Sequence, residues 1–312
     1  YGRGGVVFEQ HTGHSRLPGV TGQGRPILCA GDHVRRGVNV QVLLDSPATA
    51  REVAAIAAAA GRTIATWIEI DVDGHRAGLE PDDPAVVDLG RVVRDAPGLD
   101  LAGVLTHAGG AYGCESALGL ERHAEQERRR CVRAAQNLRE AGVACPGISV
   151  GSTPTALSAR DLAGVTELRA GVYVFFDLVQ AGLGVCDIDD IALTVLTTVI
   201  SHNRAHRRLI LDAGALALSK DRGTAAQARD CGYGLVAREE GGIVPGLRVD
   251  EVNQEHGIIE LPSKHDVAAF PVGSRLRLLP HHACITAAAH EQYHLVDGQG
   301  GVAGQWPRCN GW

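Results

Sequence analysis

The feature that most constrains the fold of this chain is a regular alternation of two sequence patterns between residues 38 and 176. Short β-branched runs occur at residues 38–44, 64–72, 101–106, 148–150, 166–168 and 173–176. Between them, apolar residues recur at helical spacing over residues 48–60, 84–93 and 116–141, and one more helix is predicted from Pro154. Strands separated by helices of this length need right-handed crossovers, so we expect parallel β/α units that form an open or closed, TIM-like barrel.

The longest helical run, residues 116–141, predicts an amphipathic helix. Its charged stretch at residues 121–130 is expected to form a solvent-exposed face. The residues expected to face the core are Leu118, Ala124, Cys131 and Leu138.

The pattern changes after residue 190. The runs become short, β-branched and separated by turn residues, at residues 192–201, 208–212, 232–237, 247–253, 257–261, 275–279 and 293–296. Such runs predict an antiparallel β domain. The predicted fold class is therefore α/β plus β, with the barrel over residues 38–188 and the C-terminal β domain over residues 189–312.

Residues 1–37 differ from the rest of the chain. They are rich in Gly and Arg, without a helical or strand period. The chain contains no methionine, and its only lysines are Lys220 and Lys264. We expect an irregular segment at a fragmentary or frame-disturbed start, with the first strands of the barrel missing.

Charge and composition exclude several classes of partner. The net charge is -6 and the basic residues are scattered, which argues against nucleic-acid binding. No apolar run is long enough to cross a bilayer, so no membrane partner is expected. Eight cysteines at irregular spacing, with no C-x-x-C pair, are typical of a reducing cytoplasm.

Glycine-bearing polar loops follow the predicted parallel strands, at residues 71–78, 107–113, 151–155 and 169–173. In barrels of this type, the chemistry lies at the C-terminal ends of the strands. Ser152 and Thr153 open a helix, where backbone N–H groups, hydroxyls and the helix dipole suit an anion such as phosphate. The alternative is a plain helix cap followed by Pro154.

Four further loop residues have both a functional and a structural interpretation. Arg76 can meet a phenolate oxygen or form an ordinary surface ion pair. His107 and Tyr112 are candidate acid/base groups, or loop residues that bond to the backbone. Arg169 can contact a cofactor or pair with Glu167.

Near the C-terminus, His282 and Cys284 lie two residues apart in the apolar stretch 278–286, which we expect to be extended. Alternate residues of a strand share a face, so the imidazole and the thiol are predicted to lie side by side. Together they supply half of a zinc-type coordination sphere, although the pair by itself favours an ordinary half-buried strand with an incidental cysteine.

Six motifs in order give the chain, over roughly residues 38–312, a resemblance to the family of D-serine dehydratases and D-threonine aldolases. These are pyridoxal-phosphate enzymes of the alanine racemase fold type. The motifs are IDVDGHRAG at 70–78, LTHAG at 105–109, GSTPT at 151–155, ELRAGVYVFFD at 167–177, the His-x-Cys pair at 282–284 and WPRCNGW at 306–312.

The resemblance implies a cofactor, a metal and a homodimer. The barrel would carry pyridoxal 5'-phosphate, and His282 and Cys284 would hold Zn2+ or another divalent metal, with water and substrate completing its coordination. Arg76 would reach the phenolic oxygen of the cofactor and Arg169 would lie near its ring. The residues expected at the phosphate are Ser152, Thr153, Gly171, Val172 and Tyr173.

The reaction implied by the resemblance is a lyase reaction on a small β-hydroxy D-amino acid. Dehydration of D-serine or D-threo-3-hydroxyaspartate gives a keto acid and ammonia, whereas aldol cleavage of D-threonine or 3-hydroxy-D-aspartate gives glycine and an aldehyde. A cysteine at the second metal position, here Cys284, resembles the dehydratases, and an aspartate there resembles the aldolases.

One departure from the family pattern concerns the Schiff-base lysine, which family members carry on the first barrel strand. No lysine precedes Lys220 in this chain, so a non-catalytic fragment that binds pyridoxal phosphate is an alternative. We expect the natural full-length protein to be an active lyase and this chain to be inactive. An amino-acid racemase, which needs no metal pair, and a structural module without cofactor remain the rival interpretations.

Overall fold

The computed structural model describes residues 6–7, 39–297 and 300–308. The chain divides into two compact units. The first contains the described residues up to Cys114 together with Leu118–Ala170, and the second contains Glu115–Ala117 and the described residues from Gly171 onward. This division precedes the boundary predicted near residue 188, because Leu178 packs with core residues of the second unit.

A parallel sheet with its strands in chain order forms the centre of the first unit. Its strands are β1 (Val6–Val7), β2 (Val40–Leu44), β3 (Ile64–Glu69), β4 (Leu99–Leu105), β5 (Gly147–Val150) and β6 (Glu167–Leu168). The helices are α1 (Pro47–Ala60), α2 (Pro84–Asp95), α3 (Ala117–Glu140) and α4 (Thr153–Ser158). The α/β prediction is confirmed, although β1 lies in a segment for which we predicted no strand.

Local sequence signals explain where the first two helices begin. Ser46 caps α1 by accepting a hydrogen bond from the N–H of Thr49, and Pro47 occupies the first turn, where no N–H is needed. Asp83 and Pro84 have the same roles in α2. These caps fix where the connections after β2 and β3 end.

The core of the first unit lies between the strands and α1, α2 and α3. On α3, the prediction is confirmed for Ala124, Cys131 and Leu138, which are buried. It is wrong for Leu118, which is 55% exposed because two residues before buried Leu120 correspond to about 200° of helical rotation. It is also wrong for Glu127, which lies on the apolar stripe and is 2% exposed.

The second unit is built on an antiparallel sheet with the order β10-β9-β13-β7-β8-β12-β11. These strands are β7 (Val195–Asn203), β8 (Arg208–Leu211), β9 (Leu235–Arg238), β10 (Ile243–Arg248), β11 (Glu251–Val252), β12 (Gly257–Glu260) and β13 (Arg275–Leu279). A separate hairpin pairs β14 (Gln292–Val296) with β15 (Val302–Pro307). Short helices α5 (Leu178–Gly182), α6 (Ala215–Leu218) and α7 (Ala283–Ala288) connect the strands.

Two predicted strands are helical in the structure. The segment at residues 173–176 contains part of the 3-10 turn Val172–Val174. The predicted extended segment 278–286 leaves the sheet at Leu279, and from Ala283 it forms α7. Pro280 cannot donate a ladder hydrogen bond and the run after it is rich in alanine, which favours the helix.

Within the described ranges, no helix combines the length and the apolar character that crossing a membrane requires.

Candidate active site

The loops after β3 and β4 are joined to each other. The backbone N–H of Gly110 donates a 2.8 Å hydrogen bond to Oδ2 of Asp73. The ring of His75 lies against Gly109 so closely that a Cβ there would be 2.1 Å from the His75 Cδ2 atom. The loop that carries Arg76 is therefore fixed to the loop that carries His107.

His107 and Tyr112, the predicted acid/base pair, are neighbours in the loop after β4. Their ring centroids are 6.4 Å apart with an interplanar angle of 38°. Tyr112 is 38% exposed, so its hydroxyl-bearing ring is accessible to a small molecule. The prediction that both act as acid/base groups stays a prediction.

Glu127 on α3 reaches from the helix layer to the loops at the ends of β4 and β5. Its Oε1 accepts hydrogen bonds from the backbone N–H groups of Ala108, at 3.2 Å, and Gly151, at 3.0 Å. Burial raises the pKa of this carboxyl above its ordinary value, although these hydrogen bonds and the Arg169 charge favour the ionised form. One buried carboxylate thus sets the spacing of two candidate cofactor loops.

The predicted phosphate loop begins at Gly151, whose φ is +119°. A Cβ at this position would be 2.4 Å from the carbonyl oxygen of Arg169, so only glycine fits. Ser152 caps α4 in a capping box with Thr155, and Ser152, Thr153 and Thr155 are all buried. The helix-cap interpretation of Ser152 is confirmed, and a phosphate contact at Ser152 and Thr153 stays a prediction.

Arg169 spans the ends of three strands. Its guanidinium donates to the carbonyl of Thr106 and, at 3.4 Å, to Oγ of Ser149. Ser149 Oγ in turn lies 2.5 Å from Oε1 of Glu167, so this hydroxyl lies between the arginine and the carboxylate predicted to pair with it. The guanidinium is held at the C-terminal ends of β4 and β5.

Gly171, Val172 and Tyr173 belong to the second unit. Val172 and Tyr173 form the 3-10 turn Val172–Val174, in which Val172 is buried and Tyr173 is half exposed. Their predicted contact with a phosphate group is not tested by the structure.

His282 and Cys284 come together at the start of α7 and not on a strand. His282 is the N-cap residue of this helix, Cys284 is its second residue, and Cys284 is exposed. A hydrogen bond to Cys284 raises the pKa of His282 to about 9, against the effect of burial, and a hydrogen bond to Asp221 adds to the rise. The imidazole of His282 and the thiol of Cys284 lie close together as predicted, but the first turn of α7 brings them together and not a strand.

Two carboxylates organise this helix start. Oδ2 of Asp221 lies 2.8 Å from Nδ1 of His282. Asp177 is buried, and its two oxygens accept the backbone N–H groups of Gln180, at 3.0 Å, and Ala283, at 2.9 Å. Burial raises the pKa of Asp177, whereas its backbone hydrogen bonds lower it. The ring of His282 and the backbone beside it are therefore both fixed by acids.

The described residues contain no cluster of three or more His, Cys, Asp or Glu side chains arranged to hold a metal ion. The candidate metal centre is the His282–Cys284 pair, which offers an imidazole nitrogen and a sulfur as donors. A soft N/S donor pair suits zinc, and the small number of protein donors leaves positions for water and substrate.

Glu127, Asp177 and Asp221 were missed by the sequence analysis. Glu127 had a visible signal, since it falls three residues after Ala124 and four before Cys131 on the apolar stripe of α3. Asp177 and Asp221 act on residues 106 and 61 positions away, and no local pattern indicates such contacts.

Two family models match the chain. The "Alanine racemase, N-terminal domain" matches residues 26–179, and the "Putative serine dehydratase domain" matches residues 192–296. The described part of the second match contains the candidate metal pair. Residues 309–312 of the closing WPRCNGW motif lie outside the described residues.

Characterised relatives cover most of the chain. D-threo-3-hydroxyaspartate dehydratase of Delftia sp. (strain HT23) is 48% identical over 283 residues, which are 89% of this chain and 74% of the relative. D-serine dehydratase of Dictyostelium discoideum is 29% identical over 79% of this chain and 64% of the relative. The chain thus spans between about two thirds and three quarters of the length of these relatives.

Solved structures of similar proteins superpose on most of this chain. The Delftia D-threo-3-hydroxyaspartate dehydratase superposes with a TM-score of 0.88 at 47% identity, over 94% of this chain and 78% of that one. D-threonine aldolase from Filomicrobium marinum superposes with a TM-score of 0.75 at 26% identity, over 92% of this chain and 74% of that one. One similar structure of a D-threo-3-hydroxyaspartate dehydratase is a cysteine-to-alanine mutant in the metal-free form, and another is a mutant that replaces a histidine two positions earlier.

Proposed function

Because this chain belongs to the family of D-serine dehydratases and D-threonine aldolases, pyridoxal-phosphate lyases with the alanine racemase fold, we propose that it dehydrates a β-hydroxy D-amino acid. The substrate class we favour is D-threo-3-hydroxyaspartate or D-serine. The observation that carries the proposal is the His282–Cys284 pair, because cysteine at the second donor position resembles the dehydratase branch of the family.

The loops of the first unit fit pyridoxal phosphate in their chemistry. Gly151 leaves a cradle that a Cβ would fill, beside the N-terminus of α4 and its hydroxyl residues Ser152 and Thr153. Arg169 supplies a cation at the strand ends, and Arg76 lies in the adjoining loop system. We infer that these residues, with Gly171, Val172 and Tyr173, hold the cofactor, which when bound supplies an electron sink for the α-carbon of the substrate.

The residues of the second unit fit a divalent cation. His282 and Cys284 would hold it, and we propose Zn2+ because of the nitrogen and sulfur donors. Such a cation supplies a Lewis acid for the carboxylate and β-hydroxyl oxygens of the substrate. The metal-free form of a D-threo-3-hydroxyaspartate dehydratase cysteine mutant supports a metal role for this pair.

The chain's own groups then have separate tasks. His107 and Tyr112 are the candidates for moving the α-proton, since they lie side by side at a strand end and Tyr112 is accessible. Arg169 orients the polar end of β5 through Ser149. Loss of the α-proton and departure of the β-hydroxyl as hydroxide give an enamine, which hydrolyses to a keto acid and ammonia.

The aldolase function is the second candidate, favoured by the similarity to D-threonine aldolase. A third candidate is a non-catalytic protein that binds pyridoxal phosphate, because Lys220 and Lys264 are the only lysines and both lie in the second unit.

The decisive experiment is a product assay on the protein with pyridoxal phosphate, with and without Zn2+. D-serine, D-threo-3-hydroxyaspartate and D-threonine are supplied in turn. We expect keto acid and ammonia from one of the first two, and loss of activity in the variants His282→Ala and Cys284→Ala. Release of glycine and an aldehyde would replace the dehydratase by the aldolase, and no product with any of the three would overturn both.

We also propose a cytoplasmic homodimer. The support for a dimer is the exposure of Tyr173 and Val174 on one 3-10 turn and of Trp306 on the terminal hairpin. Sedimentation equilibrium tests the dimer, and a monomer at micromolar concentration would contradict it.

A further inference from the structure

We propose that Asp221 is a positioning residue for the metal site, which holds the His282 imidazole through Nδ1 and leaves Nε2 as the coordinating nitrogen. The inference deepens the proposed function and rests on its His282–Cys284 metal pair. It adds a residue that lies 61 positions away in the sequence and that no motif connects with the pair.

The hydrogen bond fixes the tautomer of the ring. Asp221 Oδ2 and His282 Nδ1 are 2.8 Å apart. An ionised carboxylate only accepts hydrogen bonds, so Nδ1 carries the proton and the lone pair of the neutral ring is on Nε2. A metal-bound histidine with a carboxylate on its second nitrogen is better oriented and more basic than one without.

The segment that carries Asp221 is itself attached to the helix that carries the metal pair. Asp221 follows α6, and its N–H donates to Oγ of Ser219 at 3.2 Å. Thr286 of α7 donates a 2.9 Å hydrogen bond to the carbonyl oxygen of Leu218, the last residue of α6. His290, just beyond α7, bonds to the carbonyl oxygen of Ala217 at 3.1 Å. The Asp221 carboxylate that contacts the imidazole therefore belongs to a segment held by two further hydrogen bonds, one to α7 and one to His290 just after it.

The backbone conformation of Ser219 indicates that the turn leading to Asp221 is constrained. Its φ is +84°, in the region that residues other than glycine rarely adopt. Such a conformation persists only where the surroundings determine it, here the turn between α6 and Asp221. Asp177 reaches α7 as well, but its oxygens bind backbone N–H groups, so it fixes the helix and not the ring.

Zinc affinity of the chain tests the inference without any enzymatic assay. The parent chain and the variants Asp221→Asn, Asp221→Ala and Asp221→Glu compete for Zn2+ against a chromophoric chelator. Asp189→Asn is the matched control, because Asp189 is an exposed aspartate of the same unit. We expect Asp221→Ala to weaken Zn2+ binding by about 10- to 100-fold, Asp221→Asn to weaken it less, Asp221→Glu to restore part of it, and the control to match the parent.

A second measurement separates positioning from a general structural effect. Long-range 1H–15N NMR of the metal-free chain, recorded at a pH above the His282 pKa of about 9 so that the ring is neutral, reports which ring nitrogen carries the single proton. We expect Nδ1–H in the parent and in Asp189→Asn, and a shift toward Nε2–H in Asp221→Ala. If Asp221→Ala does not fold, the near-isosteric Asp221→Asn decides both measurements.

The outcomes distinguish this inference from the proposed function. If the parent binds Zn2+ no better than His282→Ala or Cys284→Ala, the proposed metal pair fails, and Asp221 loses its role with it. If the pair is required but the Asp221 variants keep the parent's affinity and tautomer, only the role of Asp221 is overturned.

Discussion

The carboxylate of Glu127 accepts a 3.0 Å hydrogen bond from the backbone N–H of Gly151, so a helix on the outside of the parallel sheet holds the loop at the end of β5. The same oxygen accepts the N–H of Ala108, at the end of β4. Burying a charged residue on the apolar face of a helix costs free energy of folding unless the residue forms hydrogen bonds. Here the hydrogen bonds of Glu127 link two loops that we assign to the cofactor.

Replacing Glu127 by alanine is expected to destabilise the first unit. The change leaves two backbone N–H groups without their acceptor and creates a cavity, for a loss of about 2–5 kcal/mol in the free energy of unfolding. Urea denaturation followed by circular dichroism measures it. Glu125→Ala on the same helix removes a partly exposed residue paired with Arg128 and should cost less than about 1 kcal/mol. Equal losses in the two variants would contradict the role of Glu127 in holding the two loops.

The pH dependence of stability provides a separate test of Glu127. Burial raises its pKa above the ordinary value of 4.5, so the folded chain holds this proton more tightly than the unfolded chain. The associated stabilisation is complete below pH 4.5 and is lost as the pH rises through the folded pKa. The free energy of unfolding of the parent, minus that of Glu127→Gln, should therefore fall as the pH rises above 4.5. A difference that stays constant or rises would show that the hydrogen bonds outweigh burial.

Gly151→Ala is expected to distort the predicted phosphate loop. The new Cβ meets the carbonyl oxygen of Arg169 at 2.4 Å, and the positive φ disfavours any side chain, for a cost of about 2 kcal/mol or more. Gly113→Ala is the control, because its Cβ would have no neighbour within 4 Å and its φ is not in the left-handed region. Thermal unfolding compares the two, and binding of pyridoxal phosphate measured by fluorescence should weaken only in Gly151→Ala. Parent-like binding in that variant would remove the loop from the cofactor site.

Thiol labelling should separate the cysteines by their environment. Burial raises the pKa of Cys131 far above the ordinary range and that of Cys145 to about 11, so both should resist iodoacetamide at pH 8 until the chain unfolds. Cys284 is exposed and should react in the native chain. Peptide mapping by mass spectrometry distinguishes it from the other seven cysteines.

Zn2+ should protect Cys284 from labelling if the thiolate is a ligand. The variant His282→Ala serves as the control, since its Cys284 should label equally with and without the metal. Protection that persists in His282→Ala would show that the metal binds Cys284 by itself, and no protection in the parent would argue against a metal at this pair.

Much of the fold follows from local sequence patterns. The helix starts at Pro47 and Pro84 are determined by caps and prolines within a few residues of each other, and sequence analysis places both elements within a residue or two. The alternation of strands and helices similarly predicts the parallel sheet, because each crossover is encoded by its own stretch of chain.

The errors in the predicted secondary structure arise where contacts between residues far apart in the sequence determine the local backbone. The segment after Leu279 was predicted to be extended from its apolar character, but the buried carboxylate of Asp177 accepts the N–H of Ala283 and fixes a helix start there. Residues 177 and 283 lie far apart in the sequence, and nothing in either stretch indicates the contact. The sequence analysis identified His282 and Cys284 from the chemistry of their side chains, but it did not predict the helix start that brings them together.

The placement of Cys284 at the second position of a helix has a consequence for how this family diversifies. On a strand, a new donor would have to suit the pleat and its cross-strand neighbours. In the first turn of a helix, cysteine and aspartate are both compatible with the backbone, and the helix dipole favours the acid. If the dehydratase and aldolase branches differ in this donor, as the resemblance implies, replacing one side chain at this position would exchange the metal donor and leave the backbone unchanged. In such a scaffold, the choice of reaction would be separable from the choice of fold.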